Sequence, residues 1–74
     1  MKIYTIEQQG DFCYDSYGGH IIVANSENEV REIAKNKSAD EGQEVWETAK
    51  LEVCGDYTCH RTEPFILMSD YRAG

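Results

Sequence analysis

A capping box at Ser26 and Glu29 is the feature that most narrowly limits the folds open to this chain. Ser26 can accept a hydrogen bond from the backbone N–H of Glu29, while the Glu29 side chain reaches back toward the start of the helix. The apolar residues that follow at helical spacing, on one face, are Val30, Ile33 and Ala34. We therefore predict a helix over residues 27–37 that packs on a sheet, because three isolated turns are not stable alone.

The remaining ordered segments have the composition of strands, with β-branched and aromatic residues that suit a pleated surface. The predicted strands are residues 2–8, 20–25, 50–57 and 65–69. The pair Gly18-Gly19 predicts a turn within a long hairpin tip over residues 9–19. Because residues 65–69 are apolar throughout, we expect the fourth strand to be central or well covered. The first or third strand would then be an exposed edge, through which two copies could pair as a homodimer.

The predicted order is β-β-α-β-β over a single domain, residues 1–74. This gives an α+β fold in which two hairpins form a mainly antiparallel four-stranded sheet with one helix on one face. We expect Trp46 to cap the core between helix and sheet, with its indole N–H bonded to a carbonyl or water. A 74-residue domain leaves little room for a cofactor cleft within a full catalytic shell. We therefore predict a non-enzymatic protein without a cofactor.

Fourteen acidic side chains against seven basic ones give a formal net charge of −7. Proteins that bind nucleic acid directly need Lys and Arg to displace counterions, so this charge disfavours direct binding of DNA or RNA. The sequence contains no apolar run of membrane-spanning length and no secretory signal, which favours a cytoplasmic protein without a membrane partner. Its three cysteines fit free thiols better than a disulfide framework.

The acids are segregated along the chain. Residues 3–30 contain five acids and residues 38–49 four more, and neither stretch contains Lys or Arg. Such a surface suits a Lys/Arg-rich partner, which the acids would steer and which Tyr14 and Tyr17 would anchor. The candidate partner-binding residues are Asp11, Tyr14, Asp15, Tyr17, Asp40, Glu41, Glu44 and Glu47. The alternative is an acidic solubilising surface, with Phe12 and one tyrosine folded back over the core.

A metal site is a further hypothesis, because Cys54, Cys59 and His60 lie close in sequence, with Cys13 and His20 elsewhere. The four-residue gap between the two nearby cysteines is at the edge of the zinc-knuckle range. Adjacent Cys59 and His60 would point to opposite faces of a strand, which disfavours both zinc binding and a cysteine–histidine nucleophile. We expect Cys54 to pack as a small hydrophobe and the chain to hold no metal.

Four segments together resemble a family of small acidic proteins encoded by tailed phages and prophages. They are residues 14–17 (YDSY), 21–31 (IIVANSENEVR), 40–42 (DEG) with Trp46, and 69–74 (SDYRAG). The likeness extends over nearly the whole chain, and it departs from the family at Cys59 and His60. The resemblance implies a phage accessory protein in the bacterial cytoplasm.

The same resemblance implies inhibition of a host defence or nucleic-acid-handling complex, as anti-CRISPR proteins do. The protein would occupy a basic surface of a host protein or ribonucleoprotein that is meant for DNA or RNA. Two alternatives stay open from the sequence. One is a structural or assembly component of the phage, which would be present in virions, and the other is a small zinc-binding domain.

Overall fold

The computed structural model describes residues 1–9 and 15–72. Its elements are β1 (Lys2–Glu7), β2 (Ser16–Ala24), α1 (Glu27–Asn36), a short 3₁₀ turn (Glu44–Trp46), β3 (Lys50–Asp56) and β4 (Phe65–Arg72). The four strands form one sheet in the order β3-β1-β2-β4, and every neighbouring pair is antiparallel. Helix α1 covers one face of this sheet. The predicted α+β class and the order β-β-α-β-β are confirmed.

The helix begins where the capping box predicts. Ser26 Oγ accepts a hydrogen bond from Glu29 N at 3.3 Å, which satisfies one of the unpaired N–H groups of the first turn. The Glu29 carboxylate reaches back to the backbone N of Asn25 at 2.6 Å, one residue earlier than in a standard capping box. The helix ends at Asn36, one residue before the predicted end.

The core lies between α1 and the two central strands. The buried residues that form it are Tyr4, Ile6, Ile22, Ala24, Val30, Ala34, Trp46 and Ala49. They alternate along β1 and β2, as expected for the covered face of a sheet. Trp46 is fully buried, as predicted, and Arg31 fixes its backbone by donating from Nη1 to Trp46 O (2.8 Å) and Ala49 O (3.1 Å). The short turn after the helix is therefore part of the core.

The expected second hairpin and the central position of the fourth strand are both wrong. β1 and β2 form the predicted first hairpin and are the central pair, so β1 is not an edge. β3 pairs with β1 and β4 pairs with β2, which places β3 and β4 at opposite edges.

The apolar residues of β4 have separate roles that an apolar run does not reveal. Phe65 packs edge-on against Tyr57 at 5.4 Å between ring centroids, and Ile66 packs against the core. Leu67 and Met68 are exposed. The apolar run is therefore explained by an edge strand in which Phe65 and Ile66 each make a contact, on opposite faces of the sheet.

The predicted turn at Gly18-Gly19 is also wrong, because both glycines lie within β2. A Cβ on Gly19 would lie 2.8 Å from the carbonyl oxygen of Ile6, so the two central strands approach too closely there for any side chain. The register with β4 shifts between Tyr17 and Gly19, which makes Gly18 the extra residue of a bulge. Of the predicted tip over residues 9–19, residues 10–14 lie outside the described part of the chain.

Candidate functional site

The two acid-rich stretches of the sequence meet at one end of the sheet. The backbone N of Asp40, in the loop after α1, donates to the carbonyl oxygen of Asp15 at 3.1 Å. Asp15 N in turn donates to the carbonyl oxygen of Arg72, the last residue of β4, at 2.6 Å. These contacts join the start of β2, the end of β4 and the acidic loop. We call this surface the acidic corner and define it as Asp15, Tyr17, Asp40, Glu41 and Tyr71.

Asp15 has a backbone conformation that few residues adopt. Its φ of 58° lies in the left-handed region, where aspartate and asparagine are the most common residues with a side chain. This turn directs the chain into β2 immediately before Ser16. Asp15 and Asp40 are both exposed.

The carboxylate of Glu41 faces the interior of the corner. Its Oε1 accepts hydrogen bonds from Tyr17 N at 3.0 Å and from Ala39 N at 3.1 Å. Its Oε2 accepts the indole N–H of Trp46 at 3.1 Å, so this indole binds a carboxylate and not the predicted carbonyl or water. Hydrogen bonds to a charged acceptor are stronger than neutral ones. The two carboxylate oxygens of Glu41 therefore link the loop to β2 and to Trp46. Glu41 thus has a structural role besides its charge.

Tyr17 is half-buried, which differs from the expected exposed anchor. Its ring lies 5.0 Å from that of His20 and 4.8 Å from that of Tyr71, measured between centroids. The ammonium of Lys37, at the end of α1, lies 5.8 Å from the Tyr17 centroid. Tyr17 therefore supports the corner from within.

Tyr71 is the exposed aromatic residue of the corner, with 47% of its surface accessible. Partial burial, together with the carboxylates of Asp15 and Asp40, raises the pKa of Tyr71, and its side chain hydrogen-bonds to Asp15. Tyr71 is not among the site residues that the sequence predicts. It reaches the corner through the pairing of Tyr71 with Tyr17 across β4 and β2, a register that no local pattern predicts.

His20 lies beneath the corner in the covered face of the sheet. Its Nδ1 is 2.7 Å from Ser69 Oγ, and its ring is 5.0 Å from the ring of Trp46. Its Nε2 is buried and has no hydrogen-bond partner within residues 1–9 and 15–72. Burial lowers the pKa of His20, Glu41 opposes this effect and Lys37 adds to it. This environment favours the neutral imidazole.

The other predicted partner-binding residues do not join the corner. Glu44 begins the 3₁₀ turn and is exposed. Glu47 forms an ion pair with Lys35 at 2.9 Å, beside α1. Asp11 and Tyr14 lie outside the described residues, so their predicted roles stay predictions.

The basic side chains near other parts of the sheet pair with carboxylates outside the corner. Lys2 pairs with Asp56 at 3.0 Å and Lys50 with Glu52 at 3.0 Å. These are exposed surface pairs, which contribute little to stability. They partly neutralise the β3 side of the sheet. Basic groups also lie beside the corner, namely Lys37 over the Tyr17 ring and Arg72, which pairs with Asp70 at 3.4 Å.

The residues of the metal hypothesis lie apart. Cys54, expected to pack as a small hydrophobe, is exposed in β3, and Cys59 and His60 are exposed in the following loop. His20 is in the core, and Cys13 lies outside the described residues. Within the two described ranges, no three His, Cys, Asp or Glu side chains come together as a metal site.

The comparisons with known proteins give no relative. No protein-family model, curated protein or solved structure matches the chain. Among the helices of the described residues, none is long and apolar enough to cross a membrane.

Proposed function

We propose that this chain is a non-enzymatic acidic binding protein that docks through the acidic corner on a Lys/Arg-rich surface of a host protein or ribonucleoprotein. Its role would be that of a phage-encoded inhibitor of a host defence or nucleic-acid-handling complex. It would act in the bacterial cytoplasm by occupying a surface that otherwise binds DNA or RNA.

The observation that carries this proposal is the hydrogen bond from Asp40 N to the carbonyl oxygen of Asp15, at 3.1 Å. It joins two acid-rich stretches that are separate in the sequence and brings them to one end of the sheet. Complementary charge accelerates encounter and disfavours partners of like charge. Exposed Tyr71 adds an aromatic group beside the two carboxylates, and aromatic residues are enriched among interface hot spots.

The same negative charge would allow the protein to take the place of nucleic acid on its partner. A protein surface that binds phosphates presents clustered Lys and Arg, and a net charge of −7 is attracted to such a surface. The resemblance to small acidic phage proteins supports a host target of this kind. The proposed partner is therefore a basic protein surface, and nucleic acid is its competitor.

Affinity capture from bacterial lysate tests the proposal. The tagged chain is compared with Asp15→Asn/Asp40→Asn, which removes two charges from the corner and keeps a residue that tolerates the left-handed conformation at position 15. The matched control is Glu32→Gln/Glu63→Gln, which removes two exposed charges elsewhere.

We expect the parent chain and the control to capture the same basic, nucleic-acid-handling protein at low salt, with less captured at physiological ionic strength. The corner variant should lose it, and added DNA or RNA should compete. Capture of no such protein, or equal capture by the corner variant, would contradict the proposal.

A further inference from the structure

The two edges of the sheet differ in how they are protected against pairing with another strand. β3 carries the charged residues Lys50, Glu52 and Asp56 within its seven residues, and charges on an edge strand discourage further pairing. β4 carries Asp70 and Arg72, which pair with each other at 3.4 Å at its C-terminal end, and no charge over residues 65–69. Over residues 65–69, β4 therefore opposes an additional strand less by charge than β3 does.

The exposed apolar side chains of β4 add to this difference. Leu67 is 54% exposed and Met68 is 63% exposed, although they are neighbours in the chain. Met68 pairs with Ile21 and Ile66 with Ile22, so Leu67 is an extra residue with no counterpart on β2. The register shift at this bulge accompanies two consecutive exposed apolar side chains on the edge strand.

The edge of β4 is continuous with the acidic corner. Tyr71, near the end of β4, bonds to the side chain of Asp15, and the carbonyl of Arg72 accepts from Asp15 N. An extended segment that lies along the outer edge of β4 would contact Leu67 and Met68 near one end. Asp15 lies on the β2 side of β4. At the other end, long Lys or Arg side chains would therefore extend across the end of β4 to reach the carboxylates of the corner.

The net charge favours one kind of occupant. Two copies of a chain with a charge of −7 repel each other, which disfavours a second copy on this edge. A basic segment is instead attracted to the corner at the end of the strand. Addition of an extended peptide to a free sheet edge is an established mode of recognition, in which main-chain hydrogen bonds supply affinity and side chains supply specificity.

We propose that β4 is the edge on which an extended, basic segment of the partner protein adds as a fifth strand, with apolar side chains over Leu67 and Met68 and Lys or Arg side chains at the acidic corner. This inference rests on the proposed function, because it takes from it the basic character of the partner. It adds the conformation of the bound segment and the strand that receives it.

The test uses a defined peptide of eight residues, the length of β4, with alternating Lys and Val and blocked ends. A second peptide has the same side chains but a methyl group on every backbone nitrogen, so it keeps the charge and loses the strand hydrogen bonds. A third peptide has Glu in place of Lys. Each is titrated into the ¹⁵N-labelled chain, and the amide shifts of the chain are followed by NMR.

We expect the lysine peptide to shift the amides of residues 65–72 and of the corner. The methylated peptide should bind about tenfold or more weakly, because several net hydrogen bonds are lost. The glutamate peptide should not bind.

Matched variants at the two edges locate the bound strand. Leu67→Lys places a like charge on the edge of β4, and Val53→Lys does the same on β3, where Val53 is 56% exposed against 54% for Leu67. We expect Leu67→Lys to weaken the lysine peptide about tenfold, as a like-charge contact across paired strands is unfavourable. Val53→Lys should leave the affinity unchanged, and equal melting temperatures verify that both variants fold.

The outcomes separate this inference from the proposed function. If the lysine peptide shifts only the corner and binds equally well when methylated, the basic partner stands and strand addition is overturned. If none of the peptides binds, strand addition is overturned, and the proposed function is decided separately by the affinity capture from lysate. If β4 amides are already protected in the free chain and it sediments as a dimer, a second copy holds the edge and the inference is again overturned.

Discussion

Asp40 and Glu41 are adjacent in the chain, but their carboxylates have different surroundings. Glu41 accepts hydrogen bonds from Tyr17 N, Ala39 N and the Trp46 indole, each at 3.0–3.1 Å. Asp40 has an exposed side chain and contributes its backbone N–H to the contact with Asp15. The inner half of the corner, Glu41 and Tyr17, thus holds the fold, and the outer half, Asp15, Asp40 and Tyr71, faces solvent.

This difference shows that composition alone does not tell which acids of a loop are available to a partner. A run of carboxylates looks uniform in the sequence, but a buried indole needs an acceptor, and one of the acids supplies it. Substitutions in the inner half should therefore lower stability, and substitutions in the outer half should lower binding.

We expect the largest loss of stability from removing the Trp46 indole, whose N–H donates to the Glu41 carboxylate. Trp46→Ala leaves a cavity in the core and removes the donor to Glu41, at a cost of about 3–5 kcal/mol in the free energy of unfolding. A single hydrophobic core in a domain of this size rarely supplies more than about 3–5 kcal/mol in total. We expect a chain that is largely unfolded at 37 °C, measured by urea denaturation and circular dichroism. A folded variant with near-parental stability would show that the core does not depend on Trp46.

The second prediction compares the two neighbouring acids directly. Glu41→Gln keeps the shape of the side chain but weakens three hydrogen bonds to a charged acceptor, and we expect a loss of about 1–3 kcal/mol in the free energy of unfolding. Asp40→Asn should change it by less than about 0.5 kcal/mol, as is usual for exposed sites. Equal losses from both substitutions would remove the distinction between inner and outer halves.

The third prediction is that buried His20 makes the free energy of unfolding depend on pH. The folded chain holds the pKa of His20 below its ordinary value of 6.5, mainly through burial, so the unfolded chain takes up a proton first as the pH falls. The stability that comes from neutral His20 is therefore present above pH 6.5 and is lost as the pH falls through the folded pKa.

Urea denaturation between pH 7 and pH 5 measures this loss, and NMR titration of the His20 ring gives the folded pKa. Asp56 acts in a separate window, because Lys2 lowers the pKa of its carboxyl from 3.8 and its contribution is lost only at more acidic pH. A His20 pKa at or above 6.5 would contradict the described burial.

The smallest effect on stability is expected from Tyr71, in the outer half. Tyr71→Phe removes the hydrogen bond to Asp15 from an exposed side chain and should leave the free energy of unfolding almost unchanged. The pKa of Tyr71, raised above 10.0 in the parent chain, should fall toward that value in Asp15→Asn/Asp40→Asn, because two nearby negative charges are removed. An unchanged pKa would mean that these carboxylates do not act on Tyr71.

The local parts of the fold could be read from the sequence. Ser26 and Glu29 are only three positions apart in the chain, so the start of α1 depends on contacts that the local sequence specifies. The first hairpin was also predicted correctly, because β1 and β2 have strand composition and are neighbours in the chain.

The remaining features depend on contacts between distant segments. In the sequence, Gly19 suggests a turn. In the structure, glycine is required at this position because the carbonyl oxygen of Ile6 in the neighbouring strand leaves no room for a side chain. The apolar run of residues 65–69 does not reveal whether its strand lies at the centre or the edge of the sheet. Tyr71 joins the corner through its register with Tyr17, and Glu41 leaves the outer surface because Trp46 needs an acceptor.

The central claim, that the outer carboxylates form a binding surface for a basic partner, is tested most directly by the affinity of Asp15→Asn/Asp40→Asn for the lysine peptide. The affinity is measured beside that of the parent chain at low salt and at physiological ionic strength, with melting temperatures confirming equal folding. We predict several-fold weaker binding by the variant at low salt, and a smaller difference when salt screens both chains. An affinity equal to that of the parent chain at low salt would contradict the account.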